Sequence, residues 1–264
     1  MNRERAAQSF LEYVKDYDPE DPMIRHKITH TFRVAALAEK IAVSLGADQE
    51  AVDFAWFLGL LHDIGRFEQV RQYGTFIDAQ SVDHAEFGAD ILFGQKLIQT
   101  FPTDGLPEEW LRIAETAIRQ HNKLRLPDSL SDEALMFCQI LRDADKVDIF
   151  RVVAEVPFEE RIGKSRGWLT DDREISPAVM ECILAHRCVP REVRRSVLDG
   201  FASHCCMAFE LVYEESRRLA KEQGYLLQML RDAEEESSPF RSEKSAGQLQ
   251  ILRREIEFAW QMSL

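Results

Sequence analysis

The chain has 264 residues, of which 45% are hydrophobic and 30% are charged, with only 12 glycines and 9 prolines. This composition can bury a core and is not typical of a disordered chain. The 33 basic and 46 acidic residues give a formal net charge of −13. Because such an acidic surface repels a nucleic-acid backbone, we expect no duplex nucleic acid as a partner.

The sequence also allows predictions about the cellular compartment of the protein. The first ten residues, MNRERAAQSF, are charged and lack the apolar run of a signal peptide. The most apolar segment, 54–61, is far too short to span a bilayer, so we expect no membrane association. The five cysteines are odd in number and show no CxxC spacing. We therefore expect a cytoplasmic protein with reduced thiols.

Helical signals dominate along the chain. In the first predicted helix, Asp21 is a suitable N-cap, a proline follows at the first helical position, and apolar residues recur at helical spacing as far as Gly46. In chain order, the predicted helices begin at Pro22, Asp48, Pro107, Ser131 and Ser176. No segment shows the sustained alternation of apolar and polar residues that marks a strand, so we predict an all-α protein.

Two polar stretches, 65–82 and 157–176, are predicted to be loops, and loops beside a site often carry substrate contacts. The acidic and serine-rich segment 234–239 is predicted to be a solvated break. We expect a helical domain over 1–200 and a C-terminal helical extension over 201–264.

The extension carries a narrow apolar stripe at helical spacing, which consists of Leu249, Leu252, Ile256 and Ala259. The stripe favours a helix that docks on its own domain. A homodimer contact is the alternative.

Polar residues interrupt several of the apolar helix faces. His30, His121 and Asp145 each lie on the apolar face of a predicted helix, and His62-Asp63 ends one of the most hydrophobic segments. A lone histidine on such a face is more often a hydrogen-bonded core residue. Burying a carboxylate without a partner costs several kcal/mol, however, so the set as a whole indicates one shared charged object. A metal ion satisfies carboxylates and accepts neutral imidazole as a ligand.

The order of these residues resembles the metal signature of the HD-domain superfamily of metal-dependent phosphohydrolases. The resemblance covers roughly residues 20–155 and is carried by ITHTFRVAALAEKIA, FLGLLHDIGRF, VDHAEFGADIL, AIRQHN and LRDADKVD. It implies an HD-domain-like helical bundle around a metal site, with additional C-terminal helices. It also implies two ions. One would be held by His30, His62, Asp63 and Asp145, and the second by His84 and His121 with Asp63 as the bridge.

The implied activity is hydrolysis of a phosphomonoester or phosphodiester of a small substrate, a nucleotide among the candidates, by a metal-activated water. The mixed ligands suit two divalent ions of Fe, Mn, Co, Ni or Zn, since no thiolate selects zinc. Asp63, Arg66 and Lys146 are the expected catalytic residues, the two cations because they can neutralise phosphoryl oxygens. Substrate contacts are expected from Arg33, Arg66, Arg71, Tyr73, Thr75 and Lys146.

Two alternatives stay open at this stage. A small branch of the same superfamily uses the same ligands as a mixed-valent di-iron oxygenase, and the ligand set does not distinguish the two chemistries. A non-catalytic nucleotide-binding sensor is the other alternative. It is disfavoured because degenerate members usually lose ligands, whereas all six positions are filled here.

Overall fold

The computed structural model describes residues 1–155, 174–234 and 242–261. Regular structure in these ranges is helical and includes no β-strand, which confirms the predicted all-α class. The chain forms two compact units, Met1–Asp145 and Lys146–Leu264, and the boundary falls inside one long helix. The division at residue 200 that we expected from the sequence stays a prediction.

The helices of the first unit follow one another with short connections. They are α1 (Arg3–Val14), α2 (Pro22–Ser44), α3 (Gln49–Leu61), α4 (Ile64–Tyr73), α5 (His84–Ala89), α6 (Glu108–Gln120) and α7 (Asp132–Glu155), the last of which continues into the second unit. Short 3₁₀ turns cover Asp78–Gln80 and Leu97–Thr100, and a π-helical turn covers Asp90–Gly94.

Three of the helix starts read from the sequence are confirmed by capping hydrogen bonds. The side chain of Asp21 accepts from the amide of Met23 ahead of α2, with Pro22 in the first helical position. Asp48 caps α3 in the same way, and the hydroxyl of Ser131 accepts from an amide in the first turn of α7. Each such cap contributes about 1 kcal/mol to helix stability.

The predicted loop over 65–82 is wrong for its first half, which belongs to α4. Ile64, Phe67 and Val70 are buried at intervals of three residues, and this short apolar stripe is enough to dock a helix. Gly74, with φ +64°, then ends the helix in the left-handed conformation that glycine tolerates. Because polar residues separate these three apolar residues in the sequence, the helical periodicity is hard to recognise there.

Two close helix contacts bring the site-bearing segments together. Helix α2 packs along α3, and a Cβ on Gly59 would lie 2.5 Å from the Cα of Ala35. Helix α4 meets α5 where Gly65 and Gly88 allow the two backbones to touch. Because no side chain separates the helices at either crossing, the residues beside these glycines are held at short range.

The second unit contains α8 (Pro177–Leu184), α9 (Val197–Cys205), α10 (Glu214–Gln223), α11 (Tyr225–Glu234) and α12 (Glu243–Gln261). Helix α8 begins after Ser176 with a proline in its first turn, as predicted. The predicted loop over 157–176 lies outside the described residues except for its last three. The predicted break over 234–239 lies outside them except for Glu234, which ends α11.

Helix α12 packs against α8 and α11 within the second unit. Leu249, Leu252 and Ile256 of its apolar stripe are fully buried, and Ala259 is half-buried. The stripe therefore serves docking of the helix on its own unit, while the homodimer contact stays an untested prediction.

No helix in the part of the chain that the structure describes has the length and apolar content needed to cross a membrane. None of the five cysteines, all of which lie in the described ranges, forms a disulfide bond.

Candidate metal centre

The ligands predicted from the sequence come from well separated segments of the first unit, and the structure brings them together. His30 lies in α2, His62 and Asp63 lie between α3 and α4, His84 begins α5, His121 follows α6, and Asp145 lies in α7. All of them are buried except Asp145, whose side chain is 13% exposed. The six side chains fall into two groups of three whose ligand atoms all lie within 4.8 Å of one another.

The break between α3 and α4 places two of these side chains side by side. His62 is the C-cap residue that follows α3, and its amide donates to the carbonyl of Leu58 at 3.0 Å. Asp63 then leaves the helical conformation, with φ −105° and ψ 17°, before α4 starts at Ile64. Asp63 occupies the N-cap position of α4, yet its carboxylate makes no capping hydrogen bond. The carboxylate is turned towards the histidines instead.

The first group consists of His30, His62 and Asp145. The Nε2 atom of His30 lies 3.1 Å from Oδ1 of Asp145 and 3.3 Å from Nε2 of His62. His62 Nε2 lies 3.7 Å from the same carboxylate oxygen. Oδ2 of Asp63 is 3.5 Å from both imidazole nitrogens and so faces this group as well.

The second group consists of Asp63, His84 and His121. The Nε2 atoms of the two histidines are 3.0 Å apart, and they lie 3.6 Å and 3.8 Å from Oδ1 of Asp63. Asp63 therefore presents one carboxylate oxygen to each group. This is the arrangement that a carboxylate bridging two ions requires.

The hydrogen bonds of the outer ring nitrogens fix the tautomers of three histidines. Nδ1–H of His62 donates to the carbonyl of Gly59, and Nδ1–H of His121 donates to the carbonyl of Ile118, each at 2.7 Å. Nδ1–H of His84 donates to Oδ2 of Asp78, also at 2.7 Å. A neutral ring that donates through Nδ1 carries a lone pair on Nε2, so the lone pairs of His84 and His121 point at one another and that of His62 points at the His30 ring.

Such an arrangement is repulsive unless a cation lies among the nitrogens. With metal–nitrogen bonds of about 2.1 Å, two nitrogens on one ion lie roughly 3 Å apart. The separations within the two histidine pairs, 3.3 Å and 3.0 Å, match this value. Imidazole and carboxylate donors also suit divalent transition metals. The residues present therefore fit a metal ion in each group.

The electrostatics of the site favour the protonation states that ligands need. Burial lowers the pKa of His62 to about 4 and that of His84 to about 4, and it also lowers the pKa of His121. Burial alone would raise the pKa of Asp63, but Lys27 and the neighbouring histidines outweigh it and hold this pKa well below its usual range. At neutral pH the imidazoles are neutral and the carboxylate is ionised, as metal binding requires.

Arg66, a predicted catalytic residue, is close to the centre but already engaged. Its Nε lies 3.6 Å from Oδ1 of Asp63. Its Nη1 donates to Oε1 of Gln69 at 2.8 Å, to the carbonyl of Phe76 at 2.7 Å and to Oδ1 of Asp78 at 2.9 Å. These contacts fix the segment after α4. The geometry therefore supports a role of Arg66 in positioning this segment more directly than a role in contacting a substrate.

Lys27 is a cation beside the centre that the sequence pattern did not predict. Its Nζ lies 2.5 Å from Oδ2 of Asp63 and 5.4 Å from the centre of the Phe76 ring, and its side chain is 19% exposed. It precedes His30 by three residues on α2, and residues at this spacing share a helix face. The spacing of Lys27 and His30 is the signal in the sequence that could have identified Lys27.

The other predicted substrate residues lie in varied surroundings. Arg33 is exposed on α2, and Tyr73 is 45% exposed at the end of α4. Arg71 pairs with Glu68, and the hydroxyl of Thr75 accepts from the amide of Ile77 at 3.1 Å. Lys146 belongs to the second unit, where its Nζ lies 3.6 Å from Glu210. Their roles at a substrate stay predictions.

A known protein family matches the part of the chain that carries the candidate ligands. The HD-domain family model matches residues 28–149, a range that contains all six candidate ligands. A solved structure of a predicted HD superfamily hydrolase from an uncultured Thermotogales bacterium is 32% identical to the chain, covering 62% of this chain and 79% of that protein, with a TM-score of 0.40. No curated protein matches the sequence. The matched domain and the sequence identity show that the chain belongs to the HD-domain superfamily.

Proposed function

We propose that the chain is a phosphohydrolase that uses two divalent metal ions to cleave a small phosphomonoester or phosphodiester. The observation that carries the proposal is the position of Asp63, whose two carboxylate oxygens face separate histidine pairs. A single-ion site would not need a carboxylate shared in this way. His30, His62 and Asp145 would hold one ion, and His84 and His121 the other, with Asp63 between them.

Bound ions would supply Lewis-acid activation of water and polarisation of a phosphoryl oxygen. The protein supplies the neutral imidazoles and the ionised carboxylates described above, and it holds them in buried positions. Fe, Mn, Co, Ni and Zn all accept this donor set, so metal analysis has to identify the ions.

Lys27 supports an anionic substrate. Its ammonium touches the carboxylate oxygen of Asp63 that faces His30 and His62. With an ion at that oxygen, the single carboxylate of Asp63 would have to compensate both the ion and the ammonium, so a further anion beside Lys27 would be favourable. A phosphoryl group carries suitable oxygens, and the three N–H donors of lysine can bind them. Since Arg66 is engaged with Phe76 and Asp78, Lys27 is our candidate for this contact.

The first experiment is metal analysis of protein purified without chelators, followed by a screen of phosphatase and phosphodiesterase substrates with each candidate metal. We expect two equivalents of metal and hydrolysis of at least one class of ester. Asp63→Ala should lose both metal and activity, because one carboxylate serves both groups. Asp104→Ala removes an exposed aspartate of the same unit and should change neither. Wild-type hydrolysis by Asp63→Ala would refute the proposal, and metal-dependent oxygen consumption without hydrolysis would replace it with the oxygenase alternative.

A second experiment tests Lys27. Hydrogen bonds to charged groups are worth about 1.5–3 kcal/mol, so Lys27→Met should raise KM and the inhibition constant of inorganic phosphate by roughly 10- to 100-fold. The matched control is Lys40→Met, which removes an exposed lysine from the same helix. Because Lys27 also contacts Asp63, metal content is measured in both variants and the constants are compared at saturating metal. Unaltered phosphate inhibition in Lys27→Met would show that the substrate anion does not contact Lys27.

A further inference from the structure

Asp78 is a largely buried carboxylate beside the second group, and no pattern in the sequence indicates it. It begins the 3₁₀ turn after α4, and its side chain is only 10% exposed. Oδ2 accepts from Nδ1–H of His84 at 2.7 Å. Oδ1 accepts from Nη1 of Arg66 at 2.9 Å and from Nε2 of Gln69 at 3.1 Å. One oxygen thus serves the histidine, and the other faces two donors.

The orientation of the Gln69 amide is fixed by its own partners. The residue is fully buried, and its Oε1 accepts from Nη1 of Arg66 at 2.8 Å. Its Nε2 also donates to the hydroxyl of Ser81 at 2.8 Å and to the carbonyl of Val82 at 3.1 Å. The hydroxyl of Ser81 in turn donates to the carbonyl of Ile77 at 3.0 Å, so it can only accept from Gln69. Rotation of the amide would break several of these bonds at once.

We propose that Asp78 is a positioning residue that holds His84 in the Nδ1–H tautomer and thereby makes the second ion site competent to bind. The effect of Asp78 on binding of the second ion rests on the proposed two-ion function. The tautomer itself is a property of the metal-free protein. An acceptor-only group at position 78 forces the proton of His84 onto Nδ1 and leaves the Nε2 lone pair directed at His121 and Asp63.

Asparagine at this position would present one acceptor and one donor in place of two acceptors. If its carbonyl stays with Arg66 and Gln69, its NH₂ faces Nδ1 of His84. That nitrogen must then accept, so the proton moves to Nε2, and ligation through Nε2 first requires a return to the disfavoured tautomer. In the opposite orientation the NH₂ meets two donors and a charge-assisted bond to Arg66 is lost. The first orientation is therefore favoured, and Asp78→Asn should switch the tautomer.

The experiment compares wild-type protein, Asp78→Asn and the surface control Asp104→Asn by titration with Co²⁺ and by ¹⁵N NMR of the histidine rings in the metal-free state. Wild type and control should bind two equivalents of Co²⁺ and show His84 protonated on Nδ1. Asp78→Asn should bind the second equivalent roughly 10- to 100-fold more weakly, as is typical when the partner of a metal-ligating histidine is removed. Its His84 should be protonated on Nε2. Asp78→Glu keeps an acceptor-only group and should restore the Nδ1–H tautomer.

Each outcome decides a different point. Two tight equivalents in Asp78→Asn, with His84 still protonated on Nδ1, would overturn the role of Asp78. A wild-type protein that binds a single equivalent would refute the two-ion function, while the tautomer in the metal-free variant would still report on Asp78. If Asp78→Asn does not fold, the wild-type spectrum decides, because a His84 protonated on Nε2 is incompatible with the inference.

Discussion

The crossing of α4 and α5 allows a sharp test of how the fold positions the second group. Gly65 is the second residue of α4, two positions after Asp63, and it lies against the first turn of α5. A Cβ at this position would collide with the carbonyl oxygen of His84 and lie 2.6 Å from the amide nitrogen of Gly88. Both are backbone atoms, so no side-chain rotation relieves the overlap. Gly65→Ala must push the two helices apart.

The magnitude follows from the distances. Restoring an ordinary contact of 3.4 Å from 2.6 Å requires a shift of roughly 0.8 Å in the backbone that carries His84. Overpacking of this kind costs about 1–3 kcal/mol of folding stability. Metal–ligand distances tolerate deviations of only about 0.2 Å, so the same shift should weaken binding of the second ion. The first group also borders this crossing, because the carbonyl oxygen of His62 lies 3.9 Å from a Cβ on Gly88. Its three ligands lie outside α5, however, so binding of the first ion should weaken less than binding of the second.

Urea denaturation and metal analysis measure the two effects separately, and neighbouring glycines provide graded controls. A Cβ on Gly88 would lie 3.0 Å from the amide nitrogen of Gly65, so Gly88→Ala should be milder. Nothing lies within 4 Å of a Cβ on Gly94, and Gly94→Ala should be neutral or slightly stabilising. If Gly65→Ala matched Gly94→Ala in stability and kept both ions, the link between this backbone contact and the second group would be wrong.

Two further predictions concern the supports of the site and its protons. The Arg142 guanidinium donates to the carbonyls of Gln120 at 3.0 Å and of Lys123, at the C-terminal end of α6, so Arg142→Met should lower the free energy of unfolding by about 2 kcal/mol in urea denaturation. An unchanged midpoint would show that this end of α6 needs no cap. In metal-free protein, His62 and His84 have pKa values of about 4, whereas an unfolded histidine titrates near 6.5. The unfolded chain therefore binds more protons between these pH values. Stability should fall as pH drops from about 6.5 to about 4, by ~1.4 kcal/mol per pH unit for each histidine. Denaturation curves at pH 7, 6 and 5 measure this dependence, and a flat profile would contradict the depressed pKa values.

The parts of the fold that the sequence predicts well depend on local interactions. The caps at Asp21, Asp48 and Ser131 involve residues two or three positions apart, so the chain itself displays them. Helix α4 is different, because its three buried apolar residues are diluted by polar neighbours and become a helix face only when the rest of the unit covers them. The sequence pattern therefore predicts a loop where tertiary packing stabilises a helix.

The supports of the site are harder to predict than its ligands. The candidate ligands interrupt apolar helix faces or match a family order, and both signals are visible in one sequence. Lys27 is 36 positions from Asp63 along the chain, and Asp78 reaches His84 only because the segment after α4 folds back towards it. Charged residues at such separations look like surface residues until the fold is known.

Asp63 shows how a local rule and a functional demand compete for one side chain. Asp48 and Asp83 also precede helices, and both accept hydrogen bonds from the amides of the following turn. Asp63 stands at the same position before α4 and forgoes this bond, which is normally worth about 1 kcal/mol. Its carboxylate is held instead by Lys27 and directed at four histidines. A rule that assigns every aspartate before a helix to capping would have hidden the central residue of this site. The cap that Asp63 lacks is itself evidence that its oxygens are used elsewhere.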